Sequence, residues 1–466
     1  MFWFLAIFLL LAIGAAVVYW WVYRKQFVRE QLEAAVIDGS DGLYRVRYTQ
    51  MRMDEIKGWI QIQNLEVDYD SIRFQQLADE GKAPPMLMRI KIPELKINGV
   101  KTPRALLGTE LLAGEIMIER PEVELIYTRA NDTVKSRRMP GPSDYDQLLG
   151  RLDKISLSKL TIHEGKLKTG YLRSKGIPLE LNGVKLELAD IVVDSINSVD
   201  PDRLLFARDI FLDCDEIKWL SGDGRYRFSM DSVNYQSKNR ALDMGRFKIE
   251  PQLSEADFTR SLRFADDRFD LALRGIKIFG LQLASMQHDS LLADSVFLGR
   301  GHFHVYRDLG LPHDGKNRLG TYPHQLLRKA GIAIDLGKIE AAAIDIKYKE
   351  RSAVTRQAGV VHFANTSFRI SGVNNIKDEG DNVMVARIYS SFLQKAALNI
   401  TWKFYTHASN GRFEIVGKMG RTPRSCRKCF GGAHGPRQVG RRHSEQSKFF
   451  NPWARLWSVC FSDCIV

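Results

Sequence analysis

The amino-acid sequence predicts a mainly β protein, with one N-terminal transmembrane helix followed by an elongated, curved antiparallel β-sheet groove and a few short helices. Three observations carry that prediction. Residues 2–23 form an uncharged apolar run. From Tyr44 onward apolar and polar residues alternate with period two, the pattern of half-buried strands. Helical periodicity is confined to short stretches, and strands do not alternate with helices as in α/β folds.

The first element is the run Phe2–Tyr23. About 20 residues span a bilayer core as a helix. Trp20, Trp21 and Tyr23 close the run as an aromatic belt, and Arg24 and Lys25 follow. A cleavable signal would show a basic segment and then an apolar stretch of about 7–15 residues. This run is longer and nothing basic precedes it, so residues 2–23 read as a retained anchor and residues 24–43 as a juxtamembrane segment. Gln26 to Val36 continues the helix. Orientation stays open on the residues alone: Arg24, Lys25 and Arg29 follow the helix, which by the positive-inside tendency favours a cytoplasmic body. A basic leader lost ahead of Met1 would give the same picture.

Residues 44–420 form the β-rich body. Ile60-Gln61-Ile62, Leu65 to Tyr69, Ile90-Lys91-Ile92, Leu95-Lys96-Ile97, Ile116-Met117-Ile118 and Val123 to Tyr127 alternate in the first part. Leu160-Thr161-Ile162, Val184 to Leu188, Phe247-Lys248-Ile249, Phe269 to Leu273 and Phe413-Glu414-Ile415 follow. A finer spacing recurs at 60/62/65/67, 90/92/95/97, 155/157/160/162 and 212/214/217/219. Its step of three turns side chains to the opposite face unless a bulge absorbs the extra residue, so the spacing predicts bulged strands in a curved sheet. Short helices are expected over Pro103–Leu112, Ser143–Asp153 and Tyr322–Ala330. Cys214 is the only cysteine before residue 426, which excludes a disulfide framework for the body.

The chain changes character near Gly420. Residues 421–466 carry nine Lys/Arg against Glu445 and Asp463, a net of +7, whereas the whole chain is +13. Alternation stops, and Cys426, Cys429, Cys460 and Cys464 all lie here. The segment reads as a disordered or out-of-frame basic tail. Cys426-x-x-Cys429 with His434 and His443 raises zinc binding, but the second cysteine pair has a different spacing and is distant. Phosphate neutralisation by the basic residues is the other option, and a solvated charged end is the plainer one.

In the body, His302 and His304 stand at i and i+2 on a strand, and His313 and His324 follow. Four histidines in so short a stretch suggest a metal site. No acidic or cysteine partner recurs nearby at ligand spacing, so they read as polar surface residues. There is no G-x-x-x-x-G-K-[ST] phosphate loop and no G-x-S-x-G elbow. Asp266-Asp267 abuts loop signals and reads as a solvated turn. No nucleophile, base or cofactor loop can be named. The expectation is a protein that is not an enzyme, with no cofactor, no metal and no nucleic-acid partner.

One resemblance adds to this. The segments Ile90-x-Ile92-Pro93-x-Leu95-x-Ile97-x-Gly99 and Gly114-x-Ile116-x-Ile118-x-x-Pro121-x-Val123-x-Leu125, with Leu106-Leu107 between them, resemble the AsmA-like envelope proteins. Ile346 to Glu350, Gly359 to Phe363 and Asn365-Thr366 are similar to repeats of the same group. The resemblance covers roughly residues 1–420. It implies an inner-membrane, single-pass anchor with the body in the periplasm, and an elongated groove lined by hydrocarbon-binding side chains. It also implies a role in lipid transport toward, or homeostasis of, the outer membrane. It brings no catalytic residues. The sequence departs from the family pattern in lacking a basic leader and a recognisable final domain.

On this reading Ile90, Ile92, Leu95, Ile97, Ile116, Ile118, Val123 and Leu125 contact lipid acyl chains, and membrane lipids are the partners, with envelope proteins possible. The alternative is a non-catalytic scaffold whose sheet packs into a closed core and binds a protein.

Overall fold

A computed structural model describes residues 36–37, 40–54, 56–99, 110–128, 154–172, 179–194, 196–197, 200, 203–204, 206–315, 322–376, 383–408 and 411–420. The anchor Phe2–Tyr23, the helix over Ser143–Asp153 and the tail 421–466 lie outside the described residues. Among the described residues no helix is long and apolar enough to cross a membrane.

The chain is mainly β, with eighteen strands and few helices among the described residues. It divides into two compact units, which the sequence reading treats as one body. The first unit comprises residues up to Gln252 together with Phe279–Ser290, and the second comprises Leu253–Ile278 and the residues from Leu291 onward.

In the first unit the strands are β1 (Tyr44–Arg47), β2 (Gln50–Asp54), β3 (Trp59–Tyr69), β4 (Met86–Asn98), β5 (Glu110–Glu119) and β6 (Glu122–Tyr127). They continue with β7 (Lys154–Tyr171), β8 (Leu179–Val193), β9 (Ala207–Leu220), β10 (Tyr226–Gln236) and β11 (Ala241–Pro251). β1 and β2 both pair with β3, and β3 pairs with β4. β5 and β6 act as one interrupted strand: β4 pairs antiparallel with β5 through Glu94–Asn98 and with β6 through Met86–Lys91. β7 then runs parallel to both. The sheet is therefore mixed, which corrects the antiparallel expectation. A parallel neighbour needs a crossover of a dozen or more residues, and 26 residues separate β6 from β7. From β7 to β11 each neighbouring pair is antiparallel.

At all four three-residue steps the strand register is unbroken, so the predicted bulges do not absorb the extra residue; left-handed breaks on the strand or its neighbour do so instead. Asn64 takes a left-handed backbone (φ 51°), and Ile60, Ile62, Leu65 and Val67 are all buried on one side. Ile90, Ile92, Leu95 and Ile97 are buried opposite them without a change of register, because both strands break at the same level. Arg120 between β5 and β6, Glu164 of β7, Gly183 of β8 and Ser232 of β10 also take positive φ at the corresponding break. At Gly183 a side chain would collide with the Asp215 carboxylate, so the close approach and the left-handed backbone both demand glycine. This crease on the polar face holds a cavity of about 860 Å³, lined among others by Pro93, Arg120, Glu122, Lys166 and Asp215.

Two helical expectations change. Leu111 and Leu112 belong to β5, where Leu111 pairs with Ile155; strand pairing overrides the local helical pattern at the end of Pro103–Leu112. A helix the sequence reading did not include, α1 (Ser71–Asp79), starts at Asp70, whose side chain accepts from the backbone N–H groups of Ile72 and Arg73. Leu77 packs it onto Leu43, Leu87 and Ile126.

The second unit holds α2 (Glu255–Ser261), β12 (Asp267–Phe279), β13 (Ser290–Asp308) and α3 (Pro323–Arg328). β14 (Ala333–Arg351), β15 (Ala358–Asn374), β16 (Val383–Phe392), β17 (Ala396–Tyr405) and β18 (Phe413–Met419) complete it. β14 to β18 form an antiparallel meander, and β13 lies between β12 and β14. α3 fulfils the expectation at Tyr322–Ala330 in shorter form. One core gathers Val373, Met384, Ala386, Trp402 and Phe404, and another gathers Val361, Phe392, Leu398 and Ile400.

Candidate functional site

The eight residues singled out from the sequence lie together on one face of the first unit. Ile97 stands opposite Ile116, Leu95 opposite Ile118 and Ile90 opposite Val123. β3 continues the row on one side, with Ile60 opposite Ile97 and Leu65 opposite Ile92. β7 continues it on the other, with Leu160 beside Ile116 and Ile162 beside Ile118. None of the eight is more than 5% exposed. Alternation within each segment and the backbone breaks at Pro93 and Arg120 together place them on one face, and the fold buries that face at β4–β6. A hydrocarbon chain reaches them only if the covering side chains move.

The apolar face continues into β9–β11, and there it is only partly buried. Trp219, Phe228 and Ile249 stand abreast on the three strands, as do Ile217, Met230 and Phe247. All six are half-buried. Trp219 and Phe228 stack with ring centres 4.9 Å apart and planes 4° from parallel, which makes a flat apolar wall. Beyond the crease the next row is Cys214, Val233 and Met244. The signal for this surface was present at 212/214/217/219 and in Phe247-Lys248-Ile249. What a pattern cannot convey is exposure, because every such row looks alike until its covering is known.

Cys214 marks where the face closes. It is fully buried, and burial pushes its thiol up to about 12, against weaker opposing hydrogen bonds to the backbone of Glu216 and Asn182. At about pH 8.5 such a thiol is thiolate roughly one time in 3,000. In a protein carrying Cys426→Ser, Cys429→Ser, Cys460→Ser and Cys464→Ser, alkylation of Cys214 is expected to proceed no faster than the first unit opens. Mass-spectrometric labelling kinetics check this, and a fast reaction of the folded protein would show that the crease row is open.

The histidines divide three ways. His313 is exposed. His324 is fully buried against the rings of Phe404 and Phe413, which corrects its reading as a surface residue: α3 turns it toward the aromatic core of the second unit. Burial lowers its pKa, so the neutral ring is favoured there. His302 and His304 are partly exposed on β13 and meet an acidic side chain from β12. His302 Nε2 lies 3.1 Å from Asp270 Oδ1. The acidic partner missing from the local sequence is therefore supplied across the sheet, 32 residues away. Nothing in the spacing of Asp270 marks it as a partner. Asp267, read as a solvated turn residue, is instead largely buried against Arg307.

The cysteines and histidines of residues 421–466 lie outside the described residues. No protein-family model matches the chain, and no curated protein matches it significantly.

Proposed function

We propose that the protein is a non-catalytic, membrane-anchored lipid-binding protein of the cell envelope that holds acyl chains along the apolar face of its first unit. The observation that carries this reading is the change in exposure along one face. Its chemistry is aliphatic and aromatic throughout, but it is fully buried at β4–β6 and only partly buried at β9–β11. Trp219, Phe228, Ile249, Ile217, Met230 and Phe247 form a patch without a charge. Covering such surface is favourable by about 25 cal/mol per Å², and contiguous exposed apolar surface usually marks a binding site. A hydrocarbon chain satisfies it with no demand for hydrogen bonds. The uncharged run Phe2–Tyr23, read as an anchor, supports the choice of lipid because it keeps the body beside a bilayer. Inner-membrane attachment, a periplasmic body and a part in lipid transport to the outer membrane belong to the same proposal.

Photo-crosslinking side chains introduced in cells at Phe228 and Met230 test it. Both are expected to capture phospholipid. Arg227, exposed on the opposite face of β10, is expected not to. Capture of protein alone at Phe228 and Met230 would replace this reading with the scaffold reading, which the burial of the eight apolar residues already favours for the β4–β6 part of the face.

A further inference from the structure

We propose that Asp270, His302 and His304 form a binding site for one divalent transition-metal ion of the zinc class. His302 and His304 are two residues apart on β13, so strand geometry directs both to one side of the sheet. Phe303, between them, points to the other side and stacks on Phe269 of β12. The two imidazole rings face each other with centres 4.5 Å apart. Asp270 joins them from β12, and one ligand atom from each of the three lies within 4.8 Å of the other two.

The spacing fits an ion. Two donors, each about 2.0–2.1 Å from a tetrahedral zinc, stand about 3.3 Å apart. The His302–Asp270 pair is already at 3.1 Å. His304 closes the set by a side-chain rotation that moves its nitrogen by at most about 1.5 Å to reach that donor spacing. A hydrogen bond by itself accounts for His302 and Asp270. Strand geometry brings the second imidazole beside them, and its ring nitrogen adds a third ligand atom to the pair. The donor set decides the class of metal. Two imidazoles and one carboxylate suit zinc, nickel, copper or iron, whereas calcium and magnesium take oxygen ligands. His302 and Asp270 are each 38% exposed, so an ion enters from solvent and water completes its coordination. A bound ion would tie β12 to β13 on the face opposite Phe303. This inference stands apart from the lipid reading, which rests on other residues in the first unit.

The test uses the detergent-solubilised full chain, stripped with a chelator and then dialysed against zinc. Elemental analysis is expected to find one ion per chain at this site. Substituting cobalt is expected to give the visible spectrum of a nitrogen–oxygen ligand set without a thiolate charge-transfer band, which separates this site from the cysteines of residues 421–466. His302→Ala, His304→Ala and Asp270→Asn are each expected to weaken binding by at least about tenfold, with strand content checked by circular dichroism. His313→Ala is expected to change nothing. The proposal is overturned if wild-type protein retains no ion, if the cobalt spectrum shows thiolate ligation alone, or if the three variants bind as tightly as wild type.

Discussion

Ile97→Ala is expected to destabilise the first unit by about 3–4 kcal/mol, whereas Ile249→Ala is expected to cost about 1 kcal/mol or less. Ile97 is fully buried, with Ile60 across from it on β3 and Ile116 on β5. Truncating it removes apolar surface from the core and leaves a cavity between strands whose positions are set by backbone pairing, so little collapse can fill it. Ile249 sits at the partly buried end of the same face beside Phe228. Part of its side chain already meets solvent, and the space it leaves is open to water. Hydrogen exchange read by mass spectrometry on peptides of β3–β4 and of β10–β11 is the suitable measurement. In a chain of two units, a single whole-chain midpoint does not define a stability. Equal costs at the two positions would mean that the β9–β11 surface is covered in solution, and the site proposed for acyl chains would be lost with it.

Arg307→Met is expected to destabilise the second unit by about 3–5 kcal/mol. The Arg307 side chain is 6% exposed and its Asp267 partner 14%, with Nη1 3.1 Å from Oδ1. The same guanidinium also lies 3.3 Å from the Ala265 carbonyl. Removing the arginine leaves a largely buried carboxylate without its main counter-charge, which is the costly half of such a change. Combining Arg307→Met with Asp267→Leu is expected to recover most of the loss, because replacing both charges removes the uncompensated one. Urea unfolding of the single and double variants, followed by exchange in β12–β13 peptides, checks both statements. A single variant as stable as wild type would show that other groups hold Asp267.

Much of the fold was legible because its cause is local. Successive side chains on a strand point to opposite faces, so Ile90-Lys91-Ile92 or Val123-Glu124-Leu125 declares a strand and its buried side without reference to any neighbour. The three-residue step in β3 was legible too: Asn64 turns left-handed between Ile62 and Leu65, although the pairing with β4 absorbs it without the bulge that the spacing predicted. The mixed character of the sheet was less accessible. β5 and β6 read as separate strands, and only the length of chain before β7 hinted at a parallel return. The cap at Asp70 was a visible helix signal, overshadowed by the strand patterns on either side.

What the sequence by itself determined is which residues are strands, which residues of each are apolar, and where the alternation must break step. These follow from period two and from the backbone of single residues, and they hold whatever the sheet does next. Only the tertiary structure decided how far each apolar row is covered, burying Ile90, Ile92, Leu95, Ile97, Ile116, Ile118, Val123 and Leu125 while leaving Trp219, Phe228 and Ile249 partly exposed. It also decided that Asp270 meets His302 and His304. Exposure depends on how a sheet bends and what lies over it, and a cross-strand meeting depends on which strand becomes the neighbour. Both arise from contacts between residues far apart in the chain, where no local periodicity records them.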